Sequence, residues 1–213
     1  MKQLVIFDLD GTILDTLEDL KESLNFSLGQ MGYPRRTLEE TRQFVGNGIR
    51  RLIQRAVPTE TADIQRTYEI FMEHYRVHCA DHTAPYPGIP AFLTELKARG
   101  YRLAVVSNKA DSAVQALCGR YFPKIFDCVL GERPGVRKKP APDGVLEVLA
   151  RLGTPKEQTL YIGDSEVDIE TARNAGLDCV LVDWGFRDRE TLARSGAEHI
   201  VSDCREIWSF LEQ

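Results

Sequence analysis

No apolar run in the sequence is long enough to cross a bilayer, and the first one breaks at Asp8 after too few residues for a secretory leader. A membrane-spanning chain is thereby excluded on sequence grounds, and the expected compartment is the cytoplasm. Cysteine is sparse: Cys79, Cys118, Cys128, Cys179 and Cys204 are odd in number and contain no CxxC pair. That pattern argues against a disulfide framework and for reduced, mostly buried thiols. Positive charge is also short, with 27 Lys and Arg against 32 Asp and Glu and a net charge of -5. Such a balance excludes a broad basic surface for nucleic acid, so an anionic ligand must be drawn by local cations or a metal, and the partner expected is small rather than polymeric. Internal repeats and low-complexity segments are absent as well.

What is present is a chain of 213 residues, 43% of them hydrophobic, enough for one large domain with a modest insert. Short apolar runs without alternation recur at Leu4 to Phe7, Tyr101 to Val106, Cys128 to Leu130, Thr159 to Ile162 and Cys179 to Val182. Strands buried on both faces of a parallel sheet read this way. Between them lie helical patterns, among them Ile89 to Arg99, Asp111 to Tyr121 and Asp143 to Leu152, with Gly100 and Gly153 just past two of the ends. Alternating strands and helices predict a Rossmann-like α/β fold built on an open parallel sheet.

One region departs from that alternation. From about Thr16 to Thr83 the spacing is helical throughout and no strand is evident. The expected organisation is therefore an α/β core from 1–15 and 84–213, and an all-helical cap from 16–83. Thr16 and Asp19 have capping-box spacing at the entrance, and the prolines and glycine of Thr83 to Gly88 suit a stiff exit.

The run Leu4 to Phe7 leads directly into Asp8 and Asp10. Two apart on an extended segment, their side chains point the same way and lie roughly 6 to 7 Å apart, close enough to reach one reacting group. The C-terminal end of a central parallel strand is where open α/β sheets bind ligands, and Gly11 lets the backbone turn there. A plain Asp/Gly turn would also account for DLDGT. Asp164 and Asp168 follow the Thr159 to Ile162 run, one helical turn apart, so both can face the same crevice. Carboxylates gathered there favour an oxygen-liganded cation, and Mg²⁺ suits the set; helix capping by Asp164 or Ser165 is the competing explanation. Ser107 and Asn108, after Tyr101 to Val106, can bind phosphate oxygens, and Lys139, held by Pro140 behind it, is a candidate fixed cation.

These residues in this order carry a resemblance. DLDGT at Asp8 to Thr12, VVSNK with Ser107, KKPAPD with Lys139 and GDSEVD with Asp164 and Asp168 resemble the four motifs of the haloacid dehalogenase superfamily. The helical insert resembles a C1-type cap, and VGNGIRRLIQRAV together with VDWGFRDRETLARSGAEHIVSD is similar to the phosphoglycolate phosphatase subgroup. The resemblance implies Mg²⁺-dependent hydrolysis of a small phosphorylated metabolite, by a monomer or homodimer, through an aspartyl-phosphate on Asp8. It implies that Asp10 acts as general acid and then base. Mg²⁺ would be bound by Asp8, the carbonyl of Asp10 and Asp164, with Asp168 on a metal-bound water or just behind the ligands.

Within the same resemblance Ser107 and Lys139 serve the transferring phosphoryl group, and Gly11, Thr12 and Asn108 line its site. From the cap, Gly48 and Arg50 are the expected substrate contacts, since Gly46 and Gly48 permit a tight turn and an arginine can hold a carboxylate. Asp10 disfavours the dehalogenase and phosphonate-cleaving branches, because a leaving alkoxide needs a proton and a halide does not. A β-phosphoglucomutase-type mutase keeps both acids and stays open as an alternative. A receiver-like phospho-accepting switch is the alternative of another class, disfavoured by chain length and the helical insert. His74, His78 and His82 recur every fourth residue and read as a solvated or hydrogen-bonded stripe in preference to a metal site.

Overall fold

In the computed structural model, which describes residues 1–59 and 62–212, six parallel strands form one sheet in the order β5-β4-β1-β6-β7-β8. These are β1 Leu4–Phe7, β4 Arg102–Ala110, β5 Cys128–Glu132, β6 Thr159–Gly163, β7 Asp178–Val182 and β8 Ile200–Val201. In β1 the pairing puts Val5 beside Leu103 on one neighbour and Leu160 on the other. All four residues of β1 are fully buried, which explains the unbroken apolar run. Successive side chains serve opposite faces of the sheet. Val5 and Phe7 join the core under α5 (Ile89–Ala98) and α6 (Asp111–Tyr121), while Leu4 and Ile6 join the core under α7 (Asp143–Leu152) and α8 (Glu166–Ala175).

The chain leaves β1 toward β4 on one side and returns to β6 on the other, so the strand order reverses at β1. This reversal opens a crevice at the carboxyl ends of β1, β4 and β6. Above it sit four helices, α1 Leu17–Gln30, α2 Leu38–Phe44, α3 Ile49–Ala56 and α4 Ile64–His78, which bury Leu24, Leu28, Leu52, Ile53 and Phe71 against one another. The two connections to these helices run side by side as an antiparallel ladder, β2 Leu14–Asp15 against β3 Ala84–Pro85.

Two local expectations change. β4 does not end at Val106 but continues to Ala110, because an irregularity sets Val106 opposite Leu130 and Ala110 opposite Glu132. The extra residues on β4 bulge, which frees Ser107 and Asn108 from strict pairing and turns the strand end toward the crevice. The pair Thr16 and Asp19 does not form a capping box either. The Thr16 hydroxyl instead donates to Asp10 at 2.8 Å, and buried Asp19 accepts from the backbone N–H groups of His82 and Thr83 at 2.9 and 2.8 Å. Both side chains have found tertiary partners that outbid the local cap.

The histidine stripe has no shared focus. His82 pairs with Asp19, and the His74 ring is stacked between Phe26 and His78. All five cysteines are free thiols. No helix among the described residues is long and apolar enough to cross a membrane.

Candidate active site

Asp8 is the first residue past β1, Asp164 the first past β6, and Lys139 enters from the loop before α7, so three connections deliver their charges to one point. Lys139 is buried and places Nζ 2.9 Å from Asp8 Oδ1, 2.8 Å from Asp168 Oδ1 and 3.1 Å from the Tyr161 hydroxyl. Asp168, fully buried on the first turn of α8, accepts from Tyr161 through Oδ1 and from the Asp164 N–H, the Ser165 N–H and the Ser165 hydroxyl through Oδ2. Its two oxygens are thus spent on closing the turn after β6 and on fixing Lys139. A side chain at Gly163 would put its Cβ 2.3 Å from the Asp168 Cβ, so this turn requires glycine there.

Asp8, Asp164 and Asp168 each offer a carboxylate oxygen within 4.8 Å of the others, and all three are buried. Burial raises the Asp8 pKa from its ordinary value to about 7; Lys139 pulls it down, while the charges of Asp168 and Asp10 push it up. Asp164 is also held well above the usual carboxylate range, first by burial and then by the charges of Asp168 and Asp8. One ammonium cannot offset three desolvated acids. The set is under-neutralised, and its ligands are all hard oxygens, so it fits a small divalent cation such as Mg²⁺. For Lys139, burial acts against the charge, but Asp168 and Asp8 outweigh it and keep the ammonium protonated.

Around these groups lies a cavity of about 60 Å³ whose polar floor includes Asp8, Asp10, Ser107, Asn108, Lys139 and Asp164. Its roof is apolar and comes from the helices above: Leu20, Val45, Ile49 and Leu52, joined by Gly46 and Gly48. Both glycines have left-handed φ, 113° and 82°, which lets the chain turn tightly above the floor. Asn108 donates from Nδ2 to the Lys139 carbonyl, and its Oδ1 is buried without a hydrogen-bond partner among the described residues.

Three expected contacts lie outside the cavity wall. Gly11, at φ 84°, backs onto Asp164, whose Oδ2 would be 2.2 Å from an added Cβ, so close approach to that carboxylate demands glycine. Thr12 is buried, and its hydroxyl has no partner among the described residues. Arg50 turns outward: its Nη2 donates to Gln65 at 2.8 Å, its guanidinium stacks over Tyr68, and it faces an adjoining groove of about 970 Å³ between the cap helices and the core.

The family model for haloacid dehalogenase-like hydrolases matches residues 5–182. The chain belongs to this family. A phosphoglycolate phosphatase of Aquifex aeolicus is 32% identical over 86% of each chain. A crystal structure from Lactobacillus delbrueckii subsp. bulgaricus, 39% identical, superposes with a TM-score of 0.94 over 99% of both chains. CbbY from Rhodobacter sphaeroides, solved in complex with phosphate, is 28% identical with a TM-score of 0.77 over 100% of both chains.

In this haloacid dehalogenase-like hydrolase, several residues at the site had no role in the sequence reading. Lys109, on the bulged end of β4, is buried and lies 2.8 Å from Asp10 Oδ1. Tyr75, from α4, hydrogen-bonds the same ammonium. The segment Trp184 to Arg187, after β7, contacts both the acidic cluster and the helices above it. The Trp184 indole donates to the Thr12 carbonyl at 3.1 Å, the Phe186 N–H donates to Asp164 Oδ2 at 2.8 Å, and Arg187 donates to Glu166 Oε2 at 3.0 Å and to the carbonyls of Arg42 and Val45 at 2.9 Å each. Lys109 stood in plain view beside Ser107 and Asn108, and its only local signal was a lysine directly after those two polar residues.

Proposed function

We propose that this hydrolase is a Mg²⁺-dependent phosphatase that cleaves a small phosphate monoester through an aspartyl-phosphate on Asp8. The observation that carries the reading is the position of Asp8. One oxygen, Oδ1, is fixed by Lys139 and by the Leu9 N–H at 2.7 Å, and the carboxylate opens into a small cavity shared with Asp10 and Ser107. A carboxylate so fixed is a preoriented nucleophile. Asp8 attacks phosphorus while the bond from phosphorus to the ester oxygen breaks, and Asp10 gives the departing alkoxide its proton. In the second step Asp10 takes a proton from water, the water oxygen attacks phosphorus, and inorganic phosphate leaves with Asp8 restored as carboxylate.

Asp8, Asp164 and the carbonyl of Asp10 would hold Mg²⁺, which when bound supplies positive charge against the carboxylates and the phosphoryl oxygens. Asp168 is assigned to orienting Lys139 and the Asp164 turn, since its lone pairs are committed there. Ser107 and the Asn108 amide nitrogen, which carries a second N–H beyond the one given to the Lys139 carbonyl, are assigned to phosphoryl oxygens, with Lys139 balancing charge. The apolar roof excludes water during the first step, and Gly48 belongs to that roof. Thr12 and Gly11 support the loop behind the acids.

Phosphoglycolate is the first substrate to test, on the strength of the Aquifex relative; the cavity volume favours a compact ester of this kind. The cytoplasm is the proposed compartment. The test is phosphate release from a panel of small phosphate esters with and without EDTA. Turnover abolished by chelation and restored by Mg²⁺ is the result expected. Activity indifferent to EDTA would overturn the metal-dependent mechanism, and isomerisation of a hexose 1-phosphate without phosphate release would replace the phosphatase by a mutase.

A further inference from the structure

Asp10 is held by two elements that the motif reading does not connect. Its Oδ1 accepts from the Thr16 hydroxyl and from Lys109 Nζ, each at 2.8 Å, whereas Oδ2 has no hydrogen-bond partner among the described residues. Lys109 is buried to 5% exposure, so it has no water shell to hold it and must be fixed by protein groups. The second such group comes from the cap. The Tyr75 hydroxyl accepts from Lys109 Nζ, and the ammonium also lies 4.8 Å from the Tyr75 ring centroid. Tyr75 itself is 3% exposed and packed against Phe71 on α4 at 5.2 Å between ring centroids. The chain of contacts therefore runs from the cap core through Tyr75 to Lys109 and ends on one oxygen of Asp10.

We propose that Tyr75 and Lys109 are positioning residues that aim the free oxygen of Asp10 at the leaving group only when α4 rests on the core. The inference rests on the reading of Asp10 as the proton donor in the first step. With Oδ1 pinned on one side by Lys109 and on the other by Thr16, the carboxyl is held against rotation about its last torsion, which leaves Oδ2 as the oxygen to serve the cavity that Asp10 lines. Thr16 belongs to the connection into the cap and Tyr75 to its last helix. Lifting α4 therefore withdraws Tyr75 from Lys109, and a shift of the connection moves Thr16.

A role in proton delivery has a signature that loosened packing lacks. An alkyl phosphate needs its departing oxygen protonated, whereas acetyl phosphate, of similar size, releases acetate, which needs no proton. The measurement is kcat/KM, which covers every step through release of the first product, for phosphoglycolate or the best alkyl ester of the panel and for acetyl phosphate. It is made on wild type, Tyr75→Phe, Lys109→Met and Asp10→Asn with saturating Mg²⁺. Tyr75→Phe keeps the buried ring and removes one hydroxyl, so it tests the idea even if Lys109→Met does not fold.

The expected result is a loss on the order of tenfold for the alkyl ester with Tyr75→Phe, larger with Lys109→Met, and a change within about twofold for acetyl phosphate. Equal losses on both substrates, or no loss on either, overturn the inference. Asp10→Asn separates the two levels. If it is selective against the alkyl ester while Tyr75→Phe is not, the proton-donor reading stands and the inference fails; if Asp10→Asn shows no selectivity, the reading itself fails.

Discussion

The backbone N–H of Phe186 donates to Oδ2 of Asp164 at 2.8 Å, while the Phe186 ring is buried in the apolar cluster of the cap helices. One residue of the core thus fixes a carboxylate of the acidic cluster and at the same time contributes to the core of the part above it. The next residue, Arg187, reinforces the connection with its two hydrogen bonds to cap carbonyls and its pair with Glu166. Phe186 and Arg187 thus join the cap helices to the Asp164 carboxylate through two adjacent residues.

Removing the arginine tests that link. Arg187→Ala deletes charge-assisted hydrogen bonds, each of which is worth roughly 1.5 to 3 kcal/mol. With more than one lost, kcat/KM should fall by at least about tenfold, and half-saturation by Mg²⁺ should move to higher concentration. Steady-state rates over a Mg²⁺ series check both. A variant within twofold of wild type in each quantity would show that the cap does not depend on this arginine.

Asp8→Asn removes the nucleophile with little change in volume. Turnover and the phosphoenzyme should disappear together, the second read as the absence of a mass increase after rapid acid quenching with substrate. Persistent turnover at a substantial fraction of the wild-type rate would assign the attack to another group.

Metal binding and pH should be coupled with a definite sign. Burial, with the charges of Asp168 and Asp10, raises Asp8 to about 7 against the opposing pull of Lys139, so in metal-free protein it holds a proton in the folded state well above its unfolded value of 3.8. The stability this proton confers is complete at low pH and is lost as pH rises through about 7. Asp164 shifts in the same direction. Mg²⁺ must displace protons at pH 6 but meets ionised ligands at pH 8, so the rise in Tm on adding Mg²⁺ to EDTA-treated protein should be larger at pH 8. Thermal melts at the two pH values decide it; a larger rise at pH 6 contradicts the assigned ligands.

Arg50 should matter little for a compact ester. Its guanidinium is engaged by Gln65 and Tyr68 on the outer groove, away from the walls of the small cavity. Arg50→Ala is expected to leave KM for phosphoglycolate within about twofold, since an exposed pair of this kind contributes little. A tenfold rise in KM would mean that substrate reaches the groove.

Much of this was legible in the sequence because it is local. Four consecutive apolar residues before Asp8 report a strand buried on both faces, and acids spaced by two and by four report a shared side of a strand end and of a helix. Glycines and prolines mark where those elements stop. What escaped depends on partners far along the chain. Thr16 read as a cap because Asp19 stands three residues on, but its hydroxyl went to Asp10 and Asp19 went to His82 and Thr83, just before the strand returning from the cap. Ser107 read as lying past a strand that ends at Val106, since a bulge in β4 follows from how β5 pairs and leaves no local trace. Tyr75 and Lys109 are separated by 34 positions, and nothing in either neighbourhood names the other. Phe186 looked like part of the core by position, and only tertiary packing places its ring among the cap side chains.

The ladder between Leu14–Asp15 and Ala84–Pro85 has a further implication. Because the outgoing and returning strands are hydrogen-bonded neighbours, the sheet below meets the whole helical excursion as though it were a short hairpin, whatever its length. Ring-closure entropy then grows only slowly with the number of residues looped out, and the cost of a longer or shorter excursion falls on the excursion itself. A foreign bundle spliced between those two strands would leave the backbone of the sheet undisturbed, yet it would still have to accommodate the benzyl side chain of Phe186 rising from below and replace the Tyr75 hydroxyl on Lys109. Modularity at this junction is thus genuine in the backbone and incomplete in the side chains.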